Sequence, residues 1–325
     1  MQVTPPPFDP ELAAALETFR EYIAPGLTAD DITRLRETPI SGAFGESDPT
    51  SDGYFDVDER TVTGPAGAPD VSLLVCRPAG DSAANLSRPL IYHTHGGGMV
   101  LGDNRAGLDA VLEWARALDA VVVSVEYRLA PEHPYPAGVE DVYAGMLWTG
   151  EHAGELGADP DRIVIAGGSA GGGLTAALAL MLRDRKGPRP IGQVLMCPML
   201  DDRNDTPSAH QMTGLGVWDR TANETGWTAL LGERRGGADV PAYAAPARAE
   251  DLSNLPPAFI DVGSAETFRD ETLDYAARIW RAGGVAELHV WPGAFHGYDG
   301  MAPHAALSQE TRAARLRWLH RLLGA

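Results

Sequence analysis

A serine flanked by glycines occupies a position suited to a nucleophile. Ser169 is the centre of the pentapeptide Gly167–Gly171, which fits the pattern G-x-S-x-G. The apolar run Arg162–Ala166 precedes it, and a helical pattern over Ala170–Arg183 follows it. A tight strand-to-helix turn lifts a serine hydroxyl clear of a sheet, and small neighbours let that turn form. We therefore expect Ser169 to be a nucleophile; the alternative is a glycine-rich turn that only packs helix on strand.

Three consecutive glycines could supply hydrogen-bond donors for the oxyanion that forms when a nucleophile attacks a carbonyl. They lie in the segment His95–Gly98, directly after a predicted strand that ends at Thr94. Glycine lets the backbone approach closely and turn its N–H groups towards a developing charge. We expect the N–H groups of Gly97, Gly98 and Ala170 to form this oxyanion hole. A plain flexible loop would also fit the three glycines.

The same region raises the question of a metal. His93 and His95 share one face of the predicted strand, a spacing that two zinc ligands could use. A zinc site in a protein needs three or four protein ligands, and the sequence offers no obvious third one beside this pair. We therefore expect neither a metal nor another cofactor.

A serine hydroxyl needs a base, and His296 is the best placed of the nine histidines. It follows the last predicted strand, and loops at the carboxyl ends of parallel strands are where ligand chemistry collects. His289 lies inside that strand and is expected to be structural. The other histidines considered lie beside a proline, on a helix or near the final helix: His133, His152, His304 and His320.

Three acids compete to orient His296, because a catalytic histidine is held by a carboxylate. Asp261 lies within a predicted strand, and Asp270 is explained as the N-terminal cap of the helix that follows. Glu266 follows the turn at the end of that strand and has no comparable structural role. We expect Glu266 to act with Ser169 and His296, with Asp270 and Asp261 as the alternatives.

Strand and helix patterns alternate along most of the chain. The predicted strands are Val71–Cys76, Leu90–His95, Ala120–Val125, Arg162–Ala166, Gly192–Met196, Ala258–Val262 and Ala286–Val290. The clearest predicted helices are Val111–Leu118, Ala170–Arg183, Asp270–Ala282 and Pro303–Leu323. The stretch Asp201–Ala249 lacks periodicity and is expected to be an insertion over the sheet. This alternation predicts the α/β class, with a mostly parallel central sheet flanked by helices.

Composition excludes several other classes of function. A net charge of −19 over 325 residues argues against binding to nucleic acid or to an anionic membrane. Two cysteines, Cys76 and Cys197, are too few for a disulfide scaffold and predict buried thiols in a reducing compartment. The N-terminus lacks a secretory signal pattern, and no apolar run approaches the ~20 residues that span a bilayer. We expect a cytoplasmic protein whose partner is a small molecule.

These motifs, in this order, resemble the hormone-sensitive-lipase-like family of α/β-hydrolases over residues 70 to 320. The blocks that carry the resemblance are His95–Gly98, Tyr127–Glu132, Gly167–Gly171, Arg269–Glu271 and Gly293–Gly297. Within that family, the sequences around Gly98 and Glu266 are similar to actinobacterial acetyl-esterases related to heroin esterase. The order Ser169, Glu266, His296 is the order of a triad in this fold.

The resemblance implies an α/β-hydrolase fold with a helical cap. Residues 1–50 would form an N-terminal helical cap segment, and residues 51–325 a catalytic domain with a cap insertion near 201–230. A homodimer is suggested by the resemblance alone. Two positions depart from the family pattern, since Gly168 and Glu266 stand where the family usually has Asp.

The activity implied is that of a serine carboxylesterase acting on short-chain acyl esters through an acyl-enzyme intermediate. An amidase or drug-ester deacetylase would use the same Ser-His-Glu triad. A receptor for small ligands is a rival from another class, because plant gibberellin receptors resemble this family but have lost the triad histidine. Here both Ser169 and His296 are present.

Overall fold

The computed structural model describes residues 4–19, 25–37, 48–80 and 88–324, and a sheet of eight strands forms its centre. The strands are β1 Phe55–Val62, β2 Val71–Pro78, β3 Arg88–Thr94, β4 Val121–Glu126, β5 Ala158–Gly168, β6 Gly192–Met196, β7 Ala258–Gly263 and β8 Ala286–Trp291. The helices are α1 Pro10–Phe19, α2 Ala29–Glu37, α3 Leu108–Leu118, α4 Ala137–His152, α5 Ala170–Arg185, α6 Pro207–Gln211, α7 Arg220–Leu231, α8 Arg269–Arg281, α9 Tyr298–Met301 and α10 Ala306–Leu323.

The strands are ordered β1-β2-β4-β3-β5-β6-β7-β8 across the sheet. Strands β1, β2 and β4 pair antiparallel, and every pairing from β4 through β3 to β8 is parallel. The predicted α/β class and the mostly parallel sheet are therefore confirmed.

Continuous apolar strands follow from burial on both faces of the sheet. On β4, Val121 and Val123 pack into the core layer that includes α4 and α5, while Val122 between them packs into the layer that includes α3 and α10. Because successive strand residues point to opposite faces, a strand covered on both sides needs apolar residues at every position. Burial on both faces therefore explains the continuous apolar runs that predict strands in the sequence.

Several elements were not predicted, and the sequences of β1 and α4 show why. Strand β1 is at the edge of the sheet, and its sequence FDVDERTV is charged because most of its side chains are exposed or half-buried. Helix α4 carries three glycines and no strong apolar stripe, although His152 at its end was expected to be helical. The insertion Asp201–Ala249 contains the helices α6 and α7 despite its lack of periodicity.

A buried ion-pair cluster joins the last helix to β7. The Arg315 guanidinium donates from Nε to Asp261 Oδ2 at 2.7 Å and also contacts Asp299. Burial raises the pKa of Asp261 and opposes the charge on Arg315, so each charge depends on its partners. The cluster fixes α10 against the sheet beneath the loops that follow β7 and β8.

No helix of the described residues is long and apolar enough to cross a membrane.

Replacing Arg315 by leucine should destabilise the fold strongly. The change leaves the Asp261 and Asp299 carboxylates buried without their cation, a loss expected to cost about 3–5 kcal/mol. The free energy of unfolding from urea titration measures it. Arg317→Leu is the matched control, because Arg317 is exposed on the same helix and should change stability by less than about 0.5 kcal/mol. A loss below about 1 kcal/mol for Arg315→Leu would contradict this account of the cluster.

Candidate active site

Ser169 lies in a sharp turn between the end of β5 and the start of α5. Its backbone has φ 57° and ψ −123°, a conformation that costs a non-glycine residue about 1–3 kcal/mol. The neighbouring glycines are required by close backbone contacts. A Cβ at Gly167 would lie 2.3 Å from the carbonyl oxygen of Gly171, and one at Gly171 would lie 2.0 Å from that of Thr94. The strand–turn–helix setting expected of Ser169 is present.

Gly168, the first departure from the family pattern, is not forced to be glycine by its surroundings. A Cβ at this position would meet the Met196 side chain at 3.6 Å, which is an ordinary van der Waals distance. The turn can therefore form without the side chain that the resemblance leads one to expect, and Met196 packs beside the vacant position.

The loop after β8 brings His296 to the serine. The imidazole Nε2 lies 2.9 Å from Ser169 Oγ, within hydrogen-bond distance. The edge-to-face contact between the His296 and Phe268 rings, 5.2 Å between centroids, helps to hold the imidazole in this orientation. His296 is buried, so the two side chains meet in a protected position.

Glu266 lies on the other side of the imidazole. Its Oε1 is 3.4 Å from His296 Nδ1, and the same oxygen accepts from the Phe268 N–H at 3.3 Å. Both contacts are at the long end of the hydrogen-bond range. A charged His296 imidazolium would shorten its contact with Glu266, because hydrogen bonds between ionised partners are shorter and stronger than neutral ones.

The rival acids are engaged elsewhere. Asp261 is bound to Arg315, as described above, and does not face His296. Asp270 accepts from the backbone N–H of Ser208 at 2.8 Å and from the Arg269 side chain. The expectation that Asp270 caps its helix was wrong: the cap position of α8 is occupied by a residue without a capping side chain, and Asp270 instead ties α6 to α8.

The rival histidine has a partner of its own. His289 Nε2 lies 2.9 Å from Glu287 Oε1 on the same strand. Its ring also stacks on Trp291. Both contacts fit the structural role expected for His289.

The environment of His296 favours its charged form. Burial by itself opposes the imidazolium, but the Cys197 sulfur and the Glu266 carboxylate outweigh burial and raise the pKa of His296 well above its usual value. A base with a raised pKa takes a proton more readily, provided the pH is high enough to leave it neutral.

The glycine loop after β3 lies beside Ser169, since a Cβ at Gly96 would lie 3.5 Å from Ser169 Cβ. Gly97 and Gly98 have φ values of 114° and 61°. The Gly97 carbonyl accepts from the N–H groups of Val100 and Leu101, which fixes the loop as a turn. Ala170 is the first residue of α5, where backbone N–H groups lack partners within the helix and carry its positive end. The three expected donors thus lie on the two segments that flank the Ser169 turn.

The insertion packs directly on this loop. A Cβ at Gly98 would lie 2.0 Å from Trp218 Cη2, so the indole lies against the Gly98 backbone. A Cβ at Gly226 on α7 would lie 2.7 Å from the Gly98 carbonyl oxygen. The Thr267 hydroxyl, next to Glu266, donates to the Trp218 carbonyl at 2.6 Å. Trp218 therefore connects the glycine loop to the Glu266 loop.

Arg36 is a contact of the site that the sequence did not suggest. From the end of α2, its Nε donates to the Val100 carbonyl at 2.7 Å and its Nη2 to the Ala130 carbonyl at 2.6 Å. Its Nη1 binds Glu132. Ala130 in turn donates to the Met99 carbonyl. One arginine from the N-terminal segment thus joins two loops beside the glycines, and no sequence signal marks it because the contact spans 64 residues.

His93 and His95 have structural surroundings. His93 Nδ1 pairs with Ser124 Oγ at 2.9 Å, and the His95 ring stacks on Tyr127. Burial lowers the pKa of His93 to about 3 and that of His95 to about 4, so both are neutral. In the described part of the chain, neither joins a group of three close candidate metal ligands; the one such group is Cys197, Glu266 and His296.

A parallel sheet with a serine in a strand-to-helix turn and a histidine after the last strand defines the class of α/β hydrolases. A family model described as the alpha/beta hydrolase fold matches residues 91–300. Carboxylesterase NlhH of Mycobacterium tuberculosis is 36% identical over 337 residues, covering 99% of this chain and 98% of that protein.

Solved structures of esterases are similar to this chain over almost its whole length. A bacterial heroin esterase superimposes with a TM-score of 0.87 at 36% identity, covering 97% of this chain and 98% of that one. Esterase LipW from Mycobacterium marinum gives a TM-score of 0.85 at 34% identity, covering 99% of both chains. The chain belongs to the hormone-sensitive-lipase-like family of α/β hydrolases, as the motifs predicted.

Glu266→Gln should reduce kcat far more than Asp270→Asn. A glutamine cannot stabilise the imidazolium by charge, and a comparable change in another triad costs about 10⁴ in kcat. Asp270→Asn alters only the contacts of this side chain with Ser208 and Arg269. Steady-state kinetics on a p-nitrophenyl ester, with circular dichroism to verify folding, measures both. A larger loss of kcat in Asp270→Asn would give the role of the acid to Asp270.

Proposed function

We propose that this chain is a serine carboxylesterase that hydrolyses short-chain acyl esters through Ser169, His296 and Glu266. The observation that carries the proposal is the 2.9 Å contact between Ser169 Oγ and His296 Nε2, beside the glycine loop that follows β3. Relatives named as carboxylesterases and esterases support the class of substrate.

In the first half of the reaction, Ser169 Oγ attacks the ester carbonyl carbon while its proton passes to His296 Nε2. The Glu266 carboxylate holds the imidazole through Nδ1 and stabilises the positive charge that forms. The tetrahedral intermediate then collapses, the C–O bond to the alcohol breaks, and His296 returns the proton to the departing alcohol oxygen. An acyl group remains on Ser169.

The oxyanion of that intermediate is stabilised by the N–H groups of Gly97, Gly98 and Ala170. They are fixed in place before the reaction, so stabilising the new charge needs little reorganisation. Removing one such donor in other enzymes costs about 3–4 kcal/mol of transition-state stabilisation. Because these donors belong to the backbone, substitution of a side chain does not remove them. Their direction depends instead on the backbone conformation of the glycines, which the φ values describe.

Water completes the cycle by the same route. His296 removes a proton from a water molecule, whose oxygen attacks the acyl carbonyl and forms a second oxyanion in the same hole. The bond to Ser169 Oγ breaks, the proton returns to that oxygen, and the carboxylic acid leaves. No group beyond these side chains and backbone donors is required for this proton balance.

The preference for short acyl chains rests on the position of Trp218. The indole is buried against Gly98, so a long acyl chain bound at the proposed oxyanion hole would meet it. We propose that the described parts of residues 1–50 and the insertion near 201–230 form the cap. Thr225 Oγ1 donates to the Leu27 carbonyl at 2.8 Å, which joins the two segments.

Ser169→Ala should abolish ester hydrolysis without unfolding the protein. The change removes one hydroxyl from the proposed nucleophile, and loss of a triad serine typically costs about 10⁶ in turnover. Hydrolysis of p-nitrophenyl acetate measures it, with Ser253→Ala, in the turn that precedes β7, as the matched control. Retention of a sizeable share of the wild-type rate by Ser169→Ala would show that another group is the nucleophile.

The rate should climb over the first few acyl carbons and fall steeply beyond about six, because a buried methylene gains ~0.8 kcal/mol until the pocket is full. Trp218→Phe, and more so Trp218→Ala, should shift the best chain length upward. Trp280→Ala removes an exposed indole in the last turn of α8 and should not. A panel of p-nitrophenyl esters of increasing chain length measures all four proteins. A wild-type optimum at long chains would contradict the short-chain proposal.

A further inference from the structure

A half-buried thiol lies among the proposed catalytic side chains without a part in ester hydrolysis. Cys197 follows the end of β6 and has a φ of 36°. Its Sγ, a carboxylate oxygen of Glu266 and an imidazole nitrogen of His296 all lie within 4.8 Å of one another. Three donors of different chemistry are thus gathered in one place, and only two of them have a role in the reaction described above.

The donor set is that of a zinc site. Thiolate, imidazole and carboxylate are the three ligand types that bind zinc, and sites with three protein ligands leave a fourth position for water. Metal–ligand bonds of about 2.0–2.3 Å place neighbouring donors about 3.3–3.7 Å apart in a tetrahedron. The three side chains would therefore close by roughly 1 Å around the ion. A thiolate ligand also favours zinc over magnesium or calcium.

The geometry indicates which imidazole nitrogen would bind. Glu266 Oε1 faces His296 Nδ1 at 3.4 Å, whereas Nε2 faces Ser169 Oγ. An ion held by Glu266 and His296 together therefore binds Nδ1. One thiolate and one carboxylate also balance the two charges of the ion, which matters because Glu266 and His296 are buried.

We propose that Cys197, Glu266 and His296 form an inhibitory site for a thiophilic divalent cation such as zinc. Binding forms bonds from the metal to Sγ, to a Glu266 oxygen and to Nδ1, and the proton of the thiol leaves to solvent. No electron is transferred.

Occupation of this site would block the reaction through the histidine tautomer. A neutral imidazole bound to metal through Nδ1 must carry its proton on Nε2, so the Nδ1 proton moves to Nε2. That nitrogen must be free of a proton to accept the one from Ser169. Glu266 is also drawn onto the ion. The inhibition rests on the proposed function, whereas the binding does not.

Zinc inhibition of hydrolysis is the first test. Zinc chloride should inhibit the wild-type protein, and EDTA should restore the activity. Cys197→Ala should raise the zinc concentration for half-inhibition by at least about 10–100-fold, the loss seen for even outer-shell partners of a metal site. The matched control is Cys76→Ala, which removes the only other thiol in the chain and should keep the sensitivity. Each variant is compared with its own metal-free rate.

Cobalt binding tests the site without any activity. With Ser169→Ala as the background, cobalt(II) should produce an ultraviolet thiolate-to-metal charge-transfer band, which reports a Co–S bond. The band should persist when Cys76→Ala is added and vanish when Cys197→Ala is added. Absence of the band in Ser169→Ala, or equal zinc inhibition of wild type and Cys197→Ala, would overturn the proposal. A cobalt band in Ser169→Ala together with a wild-type protein that hydrolyses no ester would refute the proposed function and leave the metal site standing.

Discussion

The hydrogen bond between Ser169 and His296 is the constraint on which the rest of the site depends. The two residues follow β5 and β8, which are separated by β6 and β7 in the sheet. At about 4.8 Å per strand, the His296 loop must reach back roughly 14 Å. It is guided by the Glu266 loop: the Gly293 N–H donates to Ser264 Oγ at 2.7 Å, and the Ala265 N–H donates to the Ala294 carbonyl. The loop that carries Glu266 thus positions the loop that carries His296.

The glycine loop after β3 depends on segments that are remote in the sequence. Arg36 holds the Val100 and Ala130 carbonyls from one side, and Trp218 and Gly226 lie against Gly98 on the other. Backbone N–H groups are useful donors only while the loop keeps its shape, so these contacts connect the N-terminal segment and the insertion to the proposed oxyanion hole. The same packing leaves limited room beside Gly98, which links the rigidity of the loop to the proposed choice of substrate.

The strand-to-helix turn at Ser169 could be predicted because it needs glycines at fixed positions. The choice of Glu266 over Asp261 rests on the position of Asp261 inside a strand, and it stays a prediction. Prediction from the sequence failed where contacts join distant segments. Arg36 carries no local signal, and the cap expected at Asp270 proved to be a tie to Ser208 on another helix. The edge strand β1 escaped prediction because exposure removes the apolar pattern that marks a buried strand.

The central claim is that an acyl group is transferred to Ser169. Rapid acid quenching of the protein after mixing with p-nitrophenyl acetate, followed by peptide mapping with mass spectrometry, locates that group directly. The account predicts one acetyl group on the peptide that contains Ser169. In Glu266→Gln this acetyl group should accumulate to a larger extent if the variant slows deacylation more than acylation. Acetylation of Cys197 or His296 as the first labelled site, or hydrolysis of ester with no covalent adduct at any time, would contradict the claim.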